Sequence, residues 1–202
     1  MLYAFLKPIV VALMRLYFRV EARGAEHVPP AGPVLLVANH VSVLDPPLIG
    51  GMTRRALCFM AKEELFRVPV LGWLIAHLNA RPVRRDNADP RALKDALRVL
   101  QAGEALLVFP EGTRGPEGSV REAKPGAGLL AVASGAAVVP VYIRGTGRAL
   151  PRGSVWPRPV KVVVTFGPAL TFKAPTGEAR RETYRAAADD MMRAIRELRD
   201  VA

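Results

Sequence analysis

Four apolar runs set the strongest limit on what this chain can fold into: Val34–Ala38 (VLLVA), Ala105–Phe109 (ALLVF), Ala137–Ile143 (AVVPVYI) and Val160–Phe166 (VKVVVTF). They are rich in β-branched and aliphatic residues and read as near-continuous apolar runs, not as polar–apolar alternations. A strand that is apolar on both sides needs cover over both faces of its sheet, which is the demand of an α/β architecture. Helix signals fall between the runs. Asp89-Pro90 caps an amphipathic stretch carrying Leu93, Leu97 and Leu100 and ending at Gly103. Gly128–Ser134 is a short helix of small residues, opened by Lys124-Pro125-Gly126. From Glu178 to Asp200, Tyr184, Ala188, Met191, Ile195 and Leu198 recur at spacings of four and three, the stripe of a surface helix docked along one side. The expected fold is α/β, a central and mostly buried sheet flanked by helices on both faces.

No repeat, low-complexity block or Ser/Gly-rich linker divides the 202 residues, a length suited to one domain with a substantial core. Half of the residues are hydrophobic and 23% charged, so disorder is excluded. The formal net charge is +11, with a pI near 10.6 and a mean hydropathy of +0.17. Such a balance calls for an anionic partner: nucleic acid, a membrane surface or a phosphorylated substrate.

The N-terminal MLYAFLKPIVVALMRLYFRV narrows that choice. Lys7 and Arg15 interrupt it, no small-residue cleavage pattern follows, and it is too broken by charge to span a bilayer. On a helical projection Lys7, Arg15 and Arg19 share about a third of the circumference. Tyr3, Phe5, Leu6, Leu13, Leu16 and Tyr17 fill much of the rest. We therefore expect residues 1–22 to form an amphipathic membrane-associating helix, and residues 23–202 a single α/β domain. Packing of the same helix onto the domain is the alternative.

The first chemically suggestive stretch is Asn39-His40-Val41-Ser42-Val43-Leu44-Asp45-Pro46. Asp45 before Pro46-Pro47 has the makings of a helix N-cap. His40 stands at the carboxyl end of a strand, where α/β sheets hold their ligands. A five-residue turn allows the Asp45 carboxylate to fold back onto one imidazole nitrogen, fixing its tautomer and leaving the other as a general base. Capping and orienting are compatible roles.

A second strand ends in Pro110-Glu111-Gly112-Thr113-Arg114. The glycine permits close backbone approach, and Thr113 and Arg114 are donors suited to an anion. Asn79–Arg85 places Arg81, Arg84 and Arg85 around a proline, either a solvated charge run or a phosphate site. Lys124, beside the start of a helix, is a further anion-site candidate.

Several chemistries find no support. The chain has one cysteine, Cys58, and three histidines, His27, His40 and His77, with no HExxH pairing, so neither a disulfide framework nor a His- or Cys-rich metal site is expected. It lacks a GxSxG elbow, a GxxxxGK[ST] phosphate loop and a GxGxxG fingerprint. With no covalent nucleophile nominated, His40 would have to activate a hydroxyl of the substrate itself.

NHVSVLDP, PVRR, FPEGTRG and AVVPVYIRG, in this order and spacing, resemble the glycerolipid acyltransferase family, most closely its bacterial members that acylate lysophosphatidic acid. The resemblance implies acyl transfer from an acyl thioester of acyl carrier protein or coenzyme A to the 2-hydroxyl of 1-acyl-sn-glycerol-3-phosphate, giving phosphatidic acid. His40 would be the base and Asp45 its orienting carboxylate. Glu111, Gly112, Thr113 and Arg114 match the family's acceptor-binding motif, and Arg85 its phosphate-binding arginine, with Arg84 able to share that role. Val139-Pro140 corresponds to a fourth motif tied to donor or structural contacts. The family's transfer needs no metal or other cofactor, and its setting is the cytoplasmic face of the cell membrane, peripheral or monotopic. Arg81 stands where relatives often carry a small or apolar residue, and Gly115 where a serine is frequent.

Three alternatives remain at this level. The same chemistry could serve another lysolipid, such as lyso-ornithine lipid. A lipase or thioesterase would pass the acyl group to water, against which the missing serine elbow argues. A nucleic-acid-binding module would use the +11 charge, but no aromatic-studded basic face accompanies it, so no nucleic acid partner is expected.

Overall fold

Each of the five residues of Val34–Ala38 is fully buried, and the alternation of side chains splits them between two cores. That is the geometric consequence of a strand apolar on both sides. The computed structural model describes residues 2–69, 71–77, 79–83, 90–173 and 180–202. In chain order they form α1 (Leu2–Phe18), β1 (Glu21–Arg23), β2 (Val34–Ala38), α2 (Asp45–Met52), β3 (Leu57–Lys62), α3 (Leu71–His77), β4 (Ala80–Val83) and α4 (Pro90–Gln101). There follow β5 (Ala105–Val108), α5 (Pro125–Ser134), β6 (Ala137–Arg144), α6 (Thr146–Ala149), β7 (Val163–Phe166) and α7 (Arg180–Val201).

The described strands make one sheet of seven, ordered β1-β7-β6-β2-β5-β3-β4. Its centre is parallel: β2 pairs with β5 through Val34↔Ala105 to Val37↔Val108, and with β6 through Val34↔Ala137 to Ala38↔Val141. Only β6 and β7 run antiparallel among the described pairs. On one face Val34, Leu36, Ala38, Leu107, Val141 and Ile143 pack against Phe18 of α1 and Leu48, Ile49 and Met52 of α2. On the other, Leu35, Val37, Leu106 and Val138 meet α4, α5 and α7 through Leu100, Leu130, Met191 and Ile195. Deleting a side chain such as Leu36 or Leu106 would cost about 2–5 kcal/mol. The α5–α7 contact is close enough that a Cβ on Gly128 would overlap the Tyr184 carbonyl oxygen, which accounts for the small residues of α5.

The α/β class and the helices on both faces are as expected, while several boundaries are corrected. Strand β7 starts at Val163, not Val160, because Val160 N–H turns back to Arg158 O and Val162 N–H bonds Phe18 O at the end of α1. Helix α5 begins at Pro125, and α7 is described from Arg180, Glu178 and Asp89 lying outside the described residues. The polar segment after Asn79 contains the edge strand β4, paired with β3 through Phe59↔Ala80 to Lys62↔Val83. Arg19 is not on α1: it follows the helix in a left-handed conformation, φ 47°.

Helix α1 packs and stays exposed at once. Val11, Met14 and Phe18 form its inner stripe, and Val11 lies over Gly51 of α2, where an added Cβ would come within 3.1 Å. Ile9, Leu13, Leu16 and Tyr17 remain open to solvent. No helix among the described residues is long and apolar enough to cross a membrane.

Candidate active site

β2 and β5 end side by side, and the loops that leave them build the site. The β2 ladder is prolonged beyond Ala38 by a side chain: Asn39 Nδ2 donates to Ile143 O at 2.9 Å and Asn39 Oδ1 accepts from Ile143 N–H at 2.8 Å. The amide replaces one more rung of sheet and fixes where the next residue, His40, leaves the strand. His40 is 6% exposed, with its ring stacked on Phe109 at a centroid separation of 3.9 Å and an interplanar angle of 20°.

The turn from Val41 to Leu44 brings Asp45 back beneath the imidazole. Asp45 Oδ2 lies 2.8 Å from His40 Nδ1 and accepts the backbone N–H groups of Val41 and Ser42, each at 2.8 Å. A fully buried carboxylate holding three donors is itself held in place. It fixes Nδ1 as the protonated nitrogen and leaves Nε2 with its lone pair outward. No group among the described residues hydrogen-bonds Nε2. The N-cap reading of Asp45 is corrected: the cap position of α2 is Leu44, with no side-chain cap bond, and Asp45 is the first helical residue. Its carboxylate is turned to the preceding turn, because that is where the imidazole and the two free N–H groups are. Its other oxygen, Oδ1, is buried without a partner.

The β5 loop braces this pair from the other side. Glu111 is 4% exposed; its Oε1 accepts the backbone N–H of His40 at 3.3 Å and its Oε2 pairs with Arg121 Nε at 3.1 Å. Arg121 also donates to Thr113 O at 2.7 Å, and Gly115 N–H donates to His40 O at 2.7 Å. Both backbone groups of His40 are therefore bonded to the 109–121 loop. Gly112 takes a φ of 69°, and a Cβ there would come within 2.7 Å of the Lys124 side chain. Glycine thus lets the Lys124 stem cross the loop, while Lys124 N–H is fixed to Pro110 O at 2.8 Å. Beside it an open cleft of about 630 Å³ is lined by Glu111, Arg121, Lys124 and Arg196 among others.

The motif residues thus fall into two groups. Glu111 is turned inward as a brace, with both oxygens occupied by His40 and Arg121. Arg114, partly buried and one residue before the Gly115–His40 bond, has no hydrogen-bond or ionic partner among the described residues, nor has the Lys124 ammonium, and Thr113 is exposed. Arg84 and Arg85 lie outside the described residues. The strand before them, β4, opens on the same sheet end but three strand spacings from β2, about 14 Å. Arg81 belongs elsewhere, acting on Cys58 within β3. Phe109, Arg121 and the clamp role of Asn39 were not singled out from the sequence. The available signal was a glutamate that had to be buried at a strand end and so needed a cation nearby.

The chain is similar to known proteins over most of its length. The Acyltransferase family profile matches residues 19–144, which span every group just described except Arg196. The chloroplastic 1-acyl-sn-glycerol-3-phosphate acyltransferase LPAT1 of Arabidopsis thaliana is 33% identical over 143 residues, 68% of this chain and 39% of the relative. The lyso-ornithine lipid O-acyltransferase of Pseudomonas aeruginosa is 38% identical over 127 residues, 62% of this chain and 47% of the relative. The crystal structure of the 1-acyl-sn-glycerophosphate acyltransferase PlsC from Thermotoga maritima superposes with a TM-score of 0.72 at 31% identity, covering 95% of this chain and 80% of that one. The chain spans about two-fifths of the length of the first of these relatives. With more than half of its residues matched to the profile and its sheet reproduced in a solved relative, the chain belongs to the acyltransferase family.

Proposed function

We propose that the protein transfers a fatty acyl group from an acyl thioester to the 2-hydroxyl of 1-acyl-sn-glycerol-3-phosphate, giving phosphatidic acid. The observation that carries this reading is the 2.8 Å contact between His40 Nδ1 and the fully buried Asp45 Oδ2, with Nε2 unpartnered among the described residues at the sheet's carboxyl end. His40 Nε2 takes the proton of the acceptor hydroxyl as that oxygen attacks the thioester carbonyl. Asp45 stabilises the imidazolium that forms. Collapse of the tetrahedral intermediate breaks the C–S bond, and the imidazolium returns its proton to the departing thiolate of acyl carrier protein or coenzyme A. These steps draw on side chains alone, without a metal or other cofactor.

Arg114 and Lys124 have no anionic partner among the described residues, which suits them to the acceptor phosphate, with Arg85 and Arg84 as further candidates. An anion taken from water is costly to hold unless it is paired, so unpaired cations beside the base favour a phosphorylated acceptor. The exposed stripe Ile9, Leu13 and Leu16 on α1 fits peripheral attachment to the cytoplasmic face of the membrane, where both substrates are met. Residues 23–202 would act as one catalytic domain behind that anchor.

The 38% identity with a lyso-ornithine lipid O-acyltransferase favours a second acceptor, on which the same base would work. The test is thiol release from an acyl thioester by the wild type and His40→Ala, with lysophosphatidate, with lyso-ornithine lipid and with neither. Release that needs lysophosphatidate and disappears in the mutant is expected. Release with lyso-ornithine lipid alone would change the acceptor, and release with no acceptor would make the protein a hydrolase.

A further inference from the structure

Residues 149–158 form a closed surface loop, its neck drawn together by Arg158 N–H donating to Ala149 O at 2.7 Å. Inside it, Ser154 N–H bonds Pro151 O at 3.0 Å and Ser154 Oγ donates to Trp156 O at 3.2 Å, so the loop has an internal scaffold. At its tip Val155 and Trp156 are each 81% exposed. A preformed loop that shows adjacent valine and indole side chains to water is keeping them for another phase, because tryptophan gains most where one edge is apolar and the other is wet.

The neighbours of the loop identify that phase. Tyr17 Oη donates to Pro157 O at 2.8 Å and Arg19 Nη2 to Pro159 O at 3.3 Å, which ties the tip to the end of α1. On α1, the helix so tied to the loop, Leu16 is 81% and Leu13 62% exposed. Arg148, Arg152 and Arg158 are exposed around it and have no ionic partner among the described residues. An apolar tip with exposed arginines at its neck and flank complements a layer of anionic headgroups above acyl chains. On the inner side Ser42 Oγ donates to Leu150 O at 3.2 Å, and Ser42 N–H is one of the donors that hold Asp45.

We propose that Val155-Trp156 is a second insertion point into an anionic bilayer, entering beside α1 while Arg148, Arg152 and Arg158 take lipid phosphates. The inference extends the proposed use of a bilayer lipid as acceptor. Because the loop root touches the turn that carries Asp45, its depth in the bilayer sets the height of His40 above the headgroups.

The test uses the full chain with Trp73→Phe, which leaves Trp156 as the sole tryptophan of the two in the sequence. With vesicles of phosphatidylglycerol and phosphatidylcholine, Trp156 emission is expected to shift to the blue and to be quenched by lipids brominated near the headgroup end of the chain. Val155→Ser with Trp156→Ser is expected to weaken vesicle binding by about tenfold or more, with transfer to a short-chain, monomeric lysophosphatidate unchanged. Emission that stays open to an aqueous quencher on saturating vesicles would overturn the proposal, as would unaltered vesicle affinity in the double variant. If Trp156 embeds but neither protein acylates lysophosphatidate, the insertion point stands and the acceptor assignment falls.

Discussion

Among the described residues two pairs in the sheet set a carboxylate against a buried group able to act as a nucleophile or base, and the two could hardly be more differently placed. At the carboxyl end of β2, Asp45 holds His40 by Nδ1 and leaves Nε2 free. Toward the amino end of β3 and on the opposite core, Cys58 Sγ donates to Glu104 Oε2 at 2.9 Å. Burial, reinforced by the Glu104 carboxylate, pushes the thiol up to about 12, against a partial opposing effect of Arg81. The sheet's amino end is also strapped shut, since Arg55 donates to Gly32 O at 2.7 Å and to Gly103 O at 2.9 Å across two loops. What separates a reactive pair from an inert one is the group that the carboxylate holds and the atom that is left without a partner. A carboxylate beside a buried thiol opposes its ionisation, whereas His40 Nε2 has no hydrogen-bond partner among the described residues.

The largest effect should come from removing the free nitrogen. His40→Ala is expected to lower acyl transfer by about 10²–10⁴-fold with its thermal midpoint close to that of the wild type, whereas Cys58→Ser should keep the rate within about twofold. Steady-state rates on both proteins check this. A dead Cys58→Ser with an active His40→Ala would invert the comparison. Asp45→Ala should match His40→Ala in rate and add a loss of stability, because the Val41 and Ser42 N–H groups lose their acceptor. Each stranded donor costs about 1–3 kcal/mol, so the melting temperature should fall by on the order of 10 °C. An unchanged melting curve would mean that the turn stands without the carboxylate.

A sharper version concerns two arginines only seven positions apart. Arg114 has no partner among the described residues, while Arg121 supports Glu111 and the Thr113 carbonyl. Arg114→Ala is expected to raise the acceptor KM by about 10–100-fold, the value of a charge-assisted hydrogen bond to phosphate, without moving the melting temperature. Arg121→Ala should do the reverse, lowering kcat and the melting temperature through the Glu111–His40 bond and leaving KM nearly unchanged. Identical behaviour of the two variants would erase the distinction between a ligand arginine and a bracing one. Arg85→Ala, judged by the same KM assay, reports whether the PVRR segment joins in phosphate binding.

The unequal legibility of the sequence has the same physical origin. Strands β2, β5 and β6 were evident because burial on both faces leaves a run of aliphatic residues and little else. The edge strands β1 and β4, reading Glu-Ala-Arg and Ala-Arg-Pro-Val, carry charges because one side meets solvent, so they resemble loops. His40 and Asp45 were readable because a five-residue turn suffices to join them. Glu111 binding the His40 N–H across 71 residues, and Arg121 binding Glu111 within an irregular loop, follow no period. Phe109 read as the end of a strand and only the fold makes it the floor under an imidazole. Long-range bonds between side chain and backbone are what sequence pattern does not encode, and here they are what aims the base.

The smallest effect tests the inert pair directly. A thiol that ionises near 9.0 when unfolded and near 12 when folded keeps its proton longer in the native state. Below pH 9 both states are protonated and the group adds no pH dependence. Between pH 9 and about 12 the unfolded chain loses the proton and the folded chain does not, so stability is lost as pH rises through that window. Replacing Cys58 by Ala removes this slope, and its alkaline unfolding transition is expected at higher pH relative to its own stability at pH 7. His40→Ala should leave that window untouched, being at the other end of the sheet and on the other core. Parallel alkaline slopes for wild type and Cys58→Ala would place the thiol in a more open setting than its 4% exposure describes, and the contrast between the two pairs would lose its thiol half.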